Sequence, residues 1–457
     1  MSLKLVLRKT VLPGLFLIWF CATVCGQTPV EQALSLNQSG LVWQKKGEFD
    51  KALADFTQAI ALDPQNPEFP FNRAYTYFKQ KKYDLALADY SRTIALNPAD
   101  AKAFRWRGIV WSWKDDYDRA MIDLNKAIEL DSNLAEAYKD RAILWKNRNE
   151  YDKAIADYSR SLEINPKDAE AWTKRGSLWY EKNQDDQVIV DCTRAIELDP
   201  KGAQAYYYRG LSWKAKQQYD KAIADYNTAV KLDPRNALYH YYRGIALTWK
   251  DEYRKAIDDY SAAIALDPFY AHAYAKRAGA WDVLEDYSKA IVDYTWAMEF
   301  GLRDADIHHN RGQAYAGKRD WRRAIRDYDR SVELNPKLTE VYNRRGAAWS
   351  WVDDYDKAIA DYTRAIELDP KFVLAYKNRG LARHVKKDYD QAIADYNRAI
   401  EMNAEYAEAY KARGECYEKK GDLQKAYDDT LKALELDPKN SSVQDTLLRL
   451  KKALKDK

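Results

Sequence analysis

The sequence predicts an all-α solenoid: about twelve 34-residue helix-turn-helix repeats in tandem, closed by a C-terminal capping helix. Three observations carry that prediction. The phrase "YDKAIADYTRAIELDP", Tyr355 to Pro370, returns almost unchanged as "YDKAIADYSRSLEINP", ending at Pro166, and "YDKAIADYNTAVKLDP", ending at Pro234. Pro64, Pro98, Pro166, Pro200, Pro234, Pro268, Pro336, Pro370 and Pro438 stand 34 residues apart or a multiple of 34, without a slip. Between the prolines, small and aromatic residues recur at helical spacing. A chain of 457 residues would otherwise suggest two or three globular domains. A fixed period of this size instead marks an array in which each unit buries its apolar side against its neighbours.

The first segment, residues 1–26, reads as a signal peptide. Lys4, Arg8 and Lys9 precede an apolar run from Val11 to about Cys25, with the small residues Val24 and Gly26 at the minus-three and minus-one places before Gln27. An uncleaved anchor competes with it, because the uncharged stretch Thr10 to Val30 approaches the ~20 residues a membrane helix needs, although Pro13 and Gly14 weaken it. Residues 27–32 are expected to be a linker. Localisation is therefore expected to be periplasmic or secreted, or membrane-anchored with an exported array.

The repeats follow from Ala33 to Asn440, in units beginning at residues 33, 67, 101, 135, 169, 203, 237, 271, 305, 339, 373 and 407. Place 32 of a unit is the proline, replaced by Ser132, Leu302 and Ala404 in three of them. Proline lacks the amide hydrogen and clashes with the preceding turn, so helix B of each unit must end before it. Place 8 is always Gly or Ala, and place 20 is Ala except at Val188. Place 24 is usually aromatic, and place 27 is Ala, Ser or Thr. Places 20, 24 and 27 share one face of helix B, as 4, 8 and 11 do of helix A. Small residues at 8 and 20 let two antiparallel helices approach, and the rings fill the space beside them. Asn66, Asp100, Asp168, Asn236, Asp304 and Asn440, at place 34, are candidate N-caps for the next helix. After the last repeat, residues 441–457 place Val443, Leu447, Leu450 and Leu454 on one face, a helix suited to covering the end of the array.

The stretch "AYYYRGLSWKAKQQYDKAIADYNTAVKLDP" resembles the tetratricopeptide repeat (TPR), whose signature places an aromatic, Leu-Gly, an aromatic, then Ala, an aromatic, Ala and Pro over 34 residues. The resemblance runs from Ala33 to Asn440. It implies a right-handed α-α superhelix whose A helices line a groove for peptides or extended protein segments, and it implies no catalysis. The chaperone-tail clamp of some TPR domains pairs Lys at place 5 with Asn at place 9; no unit here has Asn at place 9.

The chain departs from the signature at place 7, which is Arg in every unit but the first, where it is Ser39. Place 23 is Asp in all twelve. With places 8 and 20 touching, 7 and 23 lie at similar heights, so a ladder of Arg–Asp pairs is expected, Arg209 with Asp225 and Arg345 with Asp361 among them. The alternative is a row of separately solvated charges at the edge of the seam.

Function is expected at places that vary while the scaffold repeats, chiefly 2, 5, 9, 12 and 13 of helix A, with 6 at the edge. Two aromatic clusters stand there: Phe71, Tyr75, Phe78, Trp106 and Trp113, and Tyr207, Tyr208, Tyr241, Tyr242 and Trp249. Such rings suit peptide anchors and also sugar rings, and the competing reading is that those at places 5 and 6 only pack on the preceding helix B. The charge balance, 74 Lys plus Arg against 70 Asp plus Glu and 71 against 70 without the leader's three cations, offers no field for nucleic acid. No His pair has the i, i+4 spacing of a helical zinc site, and phosphate loops and serine nucleophile elbows are absent. Cys192 replaces a ring at place 24 and reads as core. The sequence thus points to a non-enzymatic scaffold of the cell envelope that binds other proteins without a cofactor or metal. The alternative is a glycan or peptidoglycan-binding module using the same rings.

Overall fold

The computed structural model describes residues 28–455, so the signal-peptide reading lies outside the described residues. Among the described residues there are 25 α-helices and no strand. The backbone divides into two bodies between Lys216 and Gln217. The first holds repeats 1–5 and helix A of repeat 6; the second holds helix B of repeat 6, repeats 7–12 and the last helix. Within each body, helix A packs on its own helix B, and each helix B packs on the helix A that follows.

The repeat pattern explains this packing at atomic scale. Gly244, at place 8, lies so close to the ring of Tyr260, at place 24, that a β-carbon there would stand 2.7 Å from Cε1. Tyr260 and Ala256 are fully buried, as are their counterparts Tyr396 and Ala392. Proteins pack their interiors at crystal-like density, so the glycine sets the hairpin's closest approach.

Helix A ends the same way throughout. Place 15 adopts the left-handed conformation, with φ between 55° and 69° at ten residues from Lys81 to Lys387, and 79° and 81° at Gly47 and Gly421. A residue in this conformation turns the chain out of the helix while satisfying its last carbonyls. Place 16 then caps helix B: Asp116, Asp286, Asp320, Asp354 and Asp422 each accept a hydrogen bond from the amide three residues on. Of the place-34 candidates, Asp100, Asp168, Asn236 and Asp304 cap the next helix A, and Asn440 accepts from Val443. Asn66 sits one residue before the observed cap, Pro67, and accepts from Glu68.

Two features differ from expectation. Residues 29–32, read as linker, form the first turn of a longer helix, Pro29–Lys45. Thr28 and Glu31 make a reciprocal capping box, and Pro29 starts the helix with its φ already set. In repeat 8, which lacks the proline, helix B is the shorter Tyr287–Glu299 and the chain leaves it through Gly301 at φ 112°. The final helix, Ser441–Lys455, packs on helix B of repeat 12 with Val443 and Leu450 buried.

Candidate binding face of the A helices

A polar ladder fixes where the A helices stand. Arg345 Nε and Nη2 donate to Asp361 Oδ2 and Oδ1 at 2.9 and 2.7 Å, a two-pronged pair in which both side chains are largely covered. The third nitrogen, Nη1, donates to Asp329 of the preceding repeat at 2.7 Å. Arg107 repeats the pattern with Asp123 at 2.8 Å and Ser91 at 3.2 Å. The ring at place 4 lies beneath the guanidinium, as Tyr342 does 5.4 Å from Arg345. Arg209, in the first body, donates Nη1 to Thr193 at 3.1 Å, while Asp225 is buried in the second.

Within each body, such an arginine thus ties its own hairpin to the one before. Its second partner, at place 25, escaped the sequence reading because only its type is held: Ser, Thr, Asn or Asp in repeats 1–11. Repeat 12, which no arginine follows, has Leu431 there. Repeat 1, which lacks the arginine, leaves Asp55 Oδ2 buried without a hydrogen-bond partner.

The structure sorts the predicted aromatics. Phe71 turns into its own hairpin against Tyr90, with ring centroids 5.5 Å apart. Tyr75, Phe78, Trp106 and Trp113 form one chain of edge-to-face contacts 5.0 to 6.2 Å long. Tyr207 and Tyr208 touch one another at 5.2 Å in the first body. In the second, Tyr241 is 7 % exposed, packed on Tyr260 and Tyr270, and burial pushes its hydroxyl up to about 12. Tyr242 is half-buried beside it. Trp249, by contrast, is 65 % exposed and stacked flat on Tyr219.

Tryptophan at place 13 proves to be a motif. Trp113, Trp249 and Trp351 are the residues there in repeats 3, 7 and 10, between 62 and 68 % exposed, each stacked on the ring at place 17 of the repeat before: Tyr83, Tyr219 and Trp321. Trp351, which the sequence reading did not single out, could have been found from that register alone.

Two of these tryptophans edge equivalent hollows. Repeats 3 and 4 enclose about 360 Å³ lined by Ile109, Ser112, Trp113, Asp140, Ile143 and Leu144. Repeats 10 and 11 enclose about 400 Å³ lined by Ala347, Ser350, Trp351, Asn378, Leu381 and Val385. The first contains a charge pair, Arg105 Nε to Asp140 Oδ2 at 2.5 Å. Burial lifts the Asp140 carboxyl above the usual carboxylate range against the pull of Arg105 and Lys139, and Glu136 adds to the lift. The second has an amide pair, Asn378 Nδ2 donating to Asn343 Oδ1 at 3.0 Å. Elsewhere on this face, burial lowers the pKa of His309, which accepts from Gln313, and raises that of Asp282. Among the described residues, no three His, Cys, Asp or Glu side chains are grouped to hold a metal ion. Cys192 and Cys416 are buried.

A tandem array of antiparallel hairpins with a variable, aromatic A-helix face defines a repeat scaffold. The Tetratricopeptide repeat profile matches residues 71–100, 135–168, 339–372, 373–406 and 407–440, a second profile of that name matches 305–338, and a TPR repeat profile matches 40–81 and 213–248. The chain belongs to the tetratricopeptide-repeat family, whose members serve as protein-interaction scaffolds. Among curated proteins it is similar to RNA polymerase II-associated protein 3 of Rattus norvegicus and Mus musculus, 39 % identical over 51 residues, which is 11 % of this chain and 8 % of theirs. The match thus spans under a tenth of those relatives' length. Among solved structures it is similar to the C-terminal part of a TPR repeat-containing protein from Cytophaga hutchinsonii (19 % identity, 53 % of this chain and 99 % of that one, TM-score 0.46). It is also similar to Cut9–Hcn1 of the APC/C (16 %, 93 % and 98 %, 0.43) and to YrrB, described as a TPR protein with an unusual peptide-binding site (23 %, 41 % and 97 %, 0.39).

Proposed function

We propose that this protein is a non-enzymatic scaffold, exported to the cell envelope, that binds extended segments of other proteins along the groove of its A helices. One observation carries the reading: two hollows at equivalent places, one in each body, each floored by apolar side chains and edged by an exposed tryptophan. A hollow of that size accepts an apolar side chain of an extended segment, while a broad ring beside it covers the segment at small entropic cost. Export rests on the basic and apolar leader, residues 1–26; N-terminal sequencing of the protein isolated from cells should begin at Gln27, and an intact Met1 would favour the anchored form.

Cross-linking in the native envelope should join partners to helix-A places, and surface plasmon resonance with those partners should show Trp113→Ala and Trp351→Ala each weakening binding by about 30-fold, the scale of a buried aromatic anchor. Parent-like affinity in both variants would end the groove reading. A second reading, glycan binding, is favoured by one observation: Trp249 stacks on Tyr219 parallel to 1°, and Trp351 on Trp321 to 3°, so that each exposed tryptophan is held in a fixed plane of the kind a sugar ring covers. Co-sedimentation with purified cell wall, lost in Trp249→Ala, would select it.

A further inference from the structure

We propose that the outer face of repeats 8 and 9, on the B helices, is a docking surface for an anionic lipid bilayer. Along most of the chain that face is acidic and internally paired. Place 18 is Asp in eight repeats, and each such Asp bonds the side chain at place 14 of the next repeat, as Asp356 does with Lys386 and Asp186 with Lys216. Repeats 7, 8 and 9 abandon this: place 18 becomes Arg254, Ser288 and Arg322, and the facing place 14 becomes Leu284, Lys318 and Val352. At the contacts of Arg254 and Arg322 both sides change together, so no cation is left opposite a cation, while Lys318 is kept and donates to Ser288 at 3.0 Å. The alteration is a substituted surface rather than a lost pair.

What replaces it is two stripes. In repeat 8, Val292, Trp296 and Phe300 follow one another at i, i+4 and i+8, and Trp296 stands at place 26, where most other repeats carry a cation such as Arg364, paired with Glu367. Val292 is 53 % and Trp296 47 % exposed, Trp296 stacks on Phe300 at 5.6 Å, and Phe269, 73 % exposed, meets Phe300 edge-on at 5.3 Å. In repeat 9, Arg322, Arg326 and Arg330 take places 18, 22 and 26, all exposed, the last paired with Glu333 at 2.9 Å as in other repeats. Residues 318–330 carry six cations against three aspartates, and two of those, Asp327 and Asp329, are already held by Arg311 and Arg345. The same stretch of repeat 10, residues 352–364, carries two cations against four aspartates.

Aromatic and arginine stripes at overlapping places of consecutive hairpins, 22 and 26 being shared, present one surface that is apolar on one side and cationic on the other. The charge calls for an anionic partner. The rings stand on the outer crests of helices, where a broad, yielding partner meets both stripes at once, and Trp and Phe settle at a headgroup boundary that takes their apolar bodies. Guanidinium groups pair with lipid phosphates in two-pronged fashion, and anionic headgroups attract them further.

The test places an environment-sensitive nitrobenzoxadiazole label at Val292→Cys in the full chain with Cys21→Ser and Cys25→Ser, since Cys192 and Cys416 are buried. A second chain carries the label at Ile122→Cys, the same place in repeat 3 and 67 % exposed. Vesicles of phosphatidylglycerol and phosphatidylcholine should raise and blue-shift emission at 292 but not at 122, with neutral phosphatidylcholine vesicles inert. Arg322→Ala with Arg326→Ala should lower the partition coefficient read at 292 by roughly 25-fold, about fivefold for each cation lost. An equal response at both labels, an equal response to neutral vesicles, or a response to poly-glutamate without one to vesicles would overturn the proposal. The last would assign the face to an acidic protein.

Discussion

The hollow of repeats 3 and 4 and that of repeats 10 and 11 are built from the same places and differ in what closes them. The first is floored by Leu124 and carries a buried-edge charge pair, Arg105 with Asp140; the second is floored by Tyr362 and carries an amide pair, Asn343 with Asn378. Their scaffolds coincide down to the left-handed residue at the rim, Asp115 with φ 60° and Asp353 with φ 62°, each accepting from a tyrosine hydroxyl two residues on. The lesson is one of division: the ladder, the glycine and the turn fix the shape, while the variable places 5 and 6 set the chemistry. On the proposed reading, a segment that seats an apolar residue would fit either hollow, and what lies beside that residue would decide which.

The largest expected effect tests whether the scaffold is indifferent to the chemistry. Arg345→Ala strips Asp361 of its two-pronged partner, and Arg107→Ala does the same to Asp123; both carboxylates are nearly covered, with side-chain exposures of 8 and 5 %. Leaving a buried carboxylate unpaired costs about 3 kcal/mol. Hydrogen exchange of the local helices, which suits an array that need not unfold as one unit, should show losses equal to within about 1 kcal/mol. The extra partner Asp329 is 44 % exposed and adds little. A loss confined to one variant would break the equivalence of the two scaffolds.

Next comes the floor. A β-carbon at Gly346 would sit 2.8 Å from the Tyr362 ring, whereas at Gly108 it would sit 3.1 Å from the Leu124 side chain and the Ala120 carbonyl. Overpacking costs about 1 to 3 kcal/mol. Because a buried phenol ring whose hydroxyl is hydrogen-bonded to Ser350 yields less than a leucine, Gly346→Val should fall at the high end and Gly108→Val at the low end in the same exchange measurement. Equal costs would show that the backbone at Ala120, and not the floor side chain, limits the first hollow.

These contrasts also show what the sequence could disclose. The hairpin, its phase and the 7–23 pairing were legible because the same residue recurs at the same place. The inter-repeat rung at place 25 was not, since Ser, Thr, Asn and Asp share only a short polar reach. Place 5 was ambiguous for another reason: it borders both the ring at place 24 and the open face, so Phe71 and Tyr241 pack inward where the sequence offers them as candidates for ligand contact. Trp351 was hidden by its isolation in sequence, although its register matches Trp113. At the start of the array, the Thr28–Glu31 capping box was readable and outweighs the repeat phase, extending the first helix into the expected linker.

The smallest expected effect is on pH, and it separates the hollows most directly. Burial holds the Asp140 pKa above its unfolded value, so the stability linked to this group is fully present below the unfolded-state pKa and is lost as pH rises through the higher folded one. As pH falls through that folded value, Asp140 takes up a proton, Arg105 loses its counter-charge, and the first hollow turns electropositive, with Lys139 adding to the field and Glu136 opposing it. A peptide carrying a lysine beside its apolar anchor should then bind there about threefold more weakly, the scale of a partly exposed pair, while the second hollow, with Asn378 in the corresponding place, keeps its affinity. Carbon-detected titration of Asp140 locates the transition, and Asp140→Asn should flatten the binding curve; a pH-dependent curve that persists in that variant would assign the proton to another group and remove the chemical distinction drawn between the two hollows.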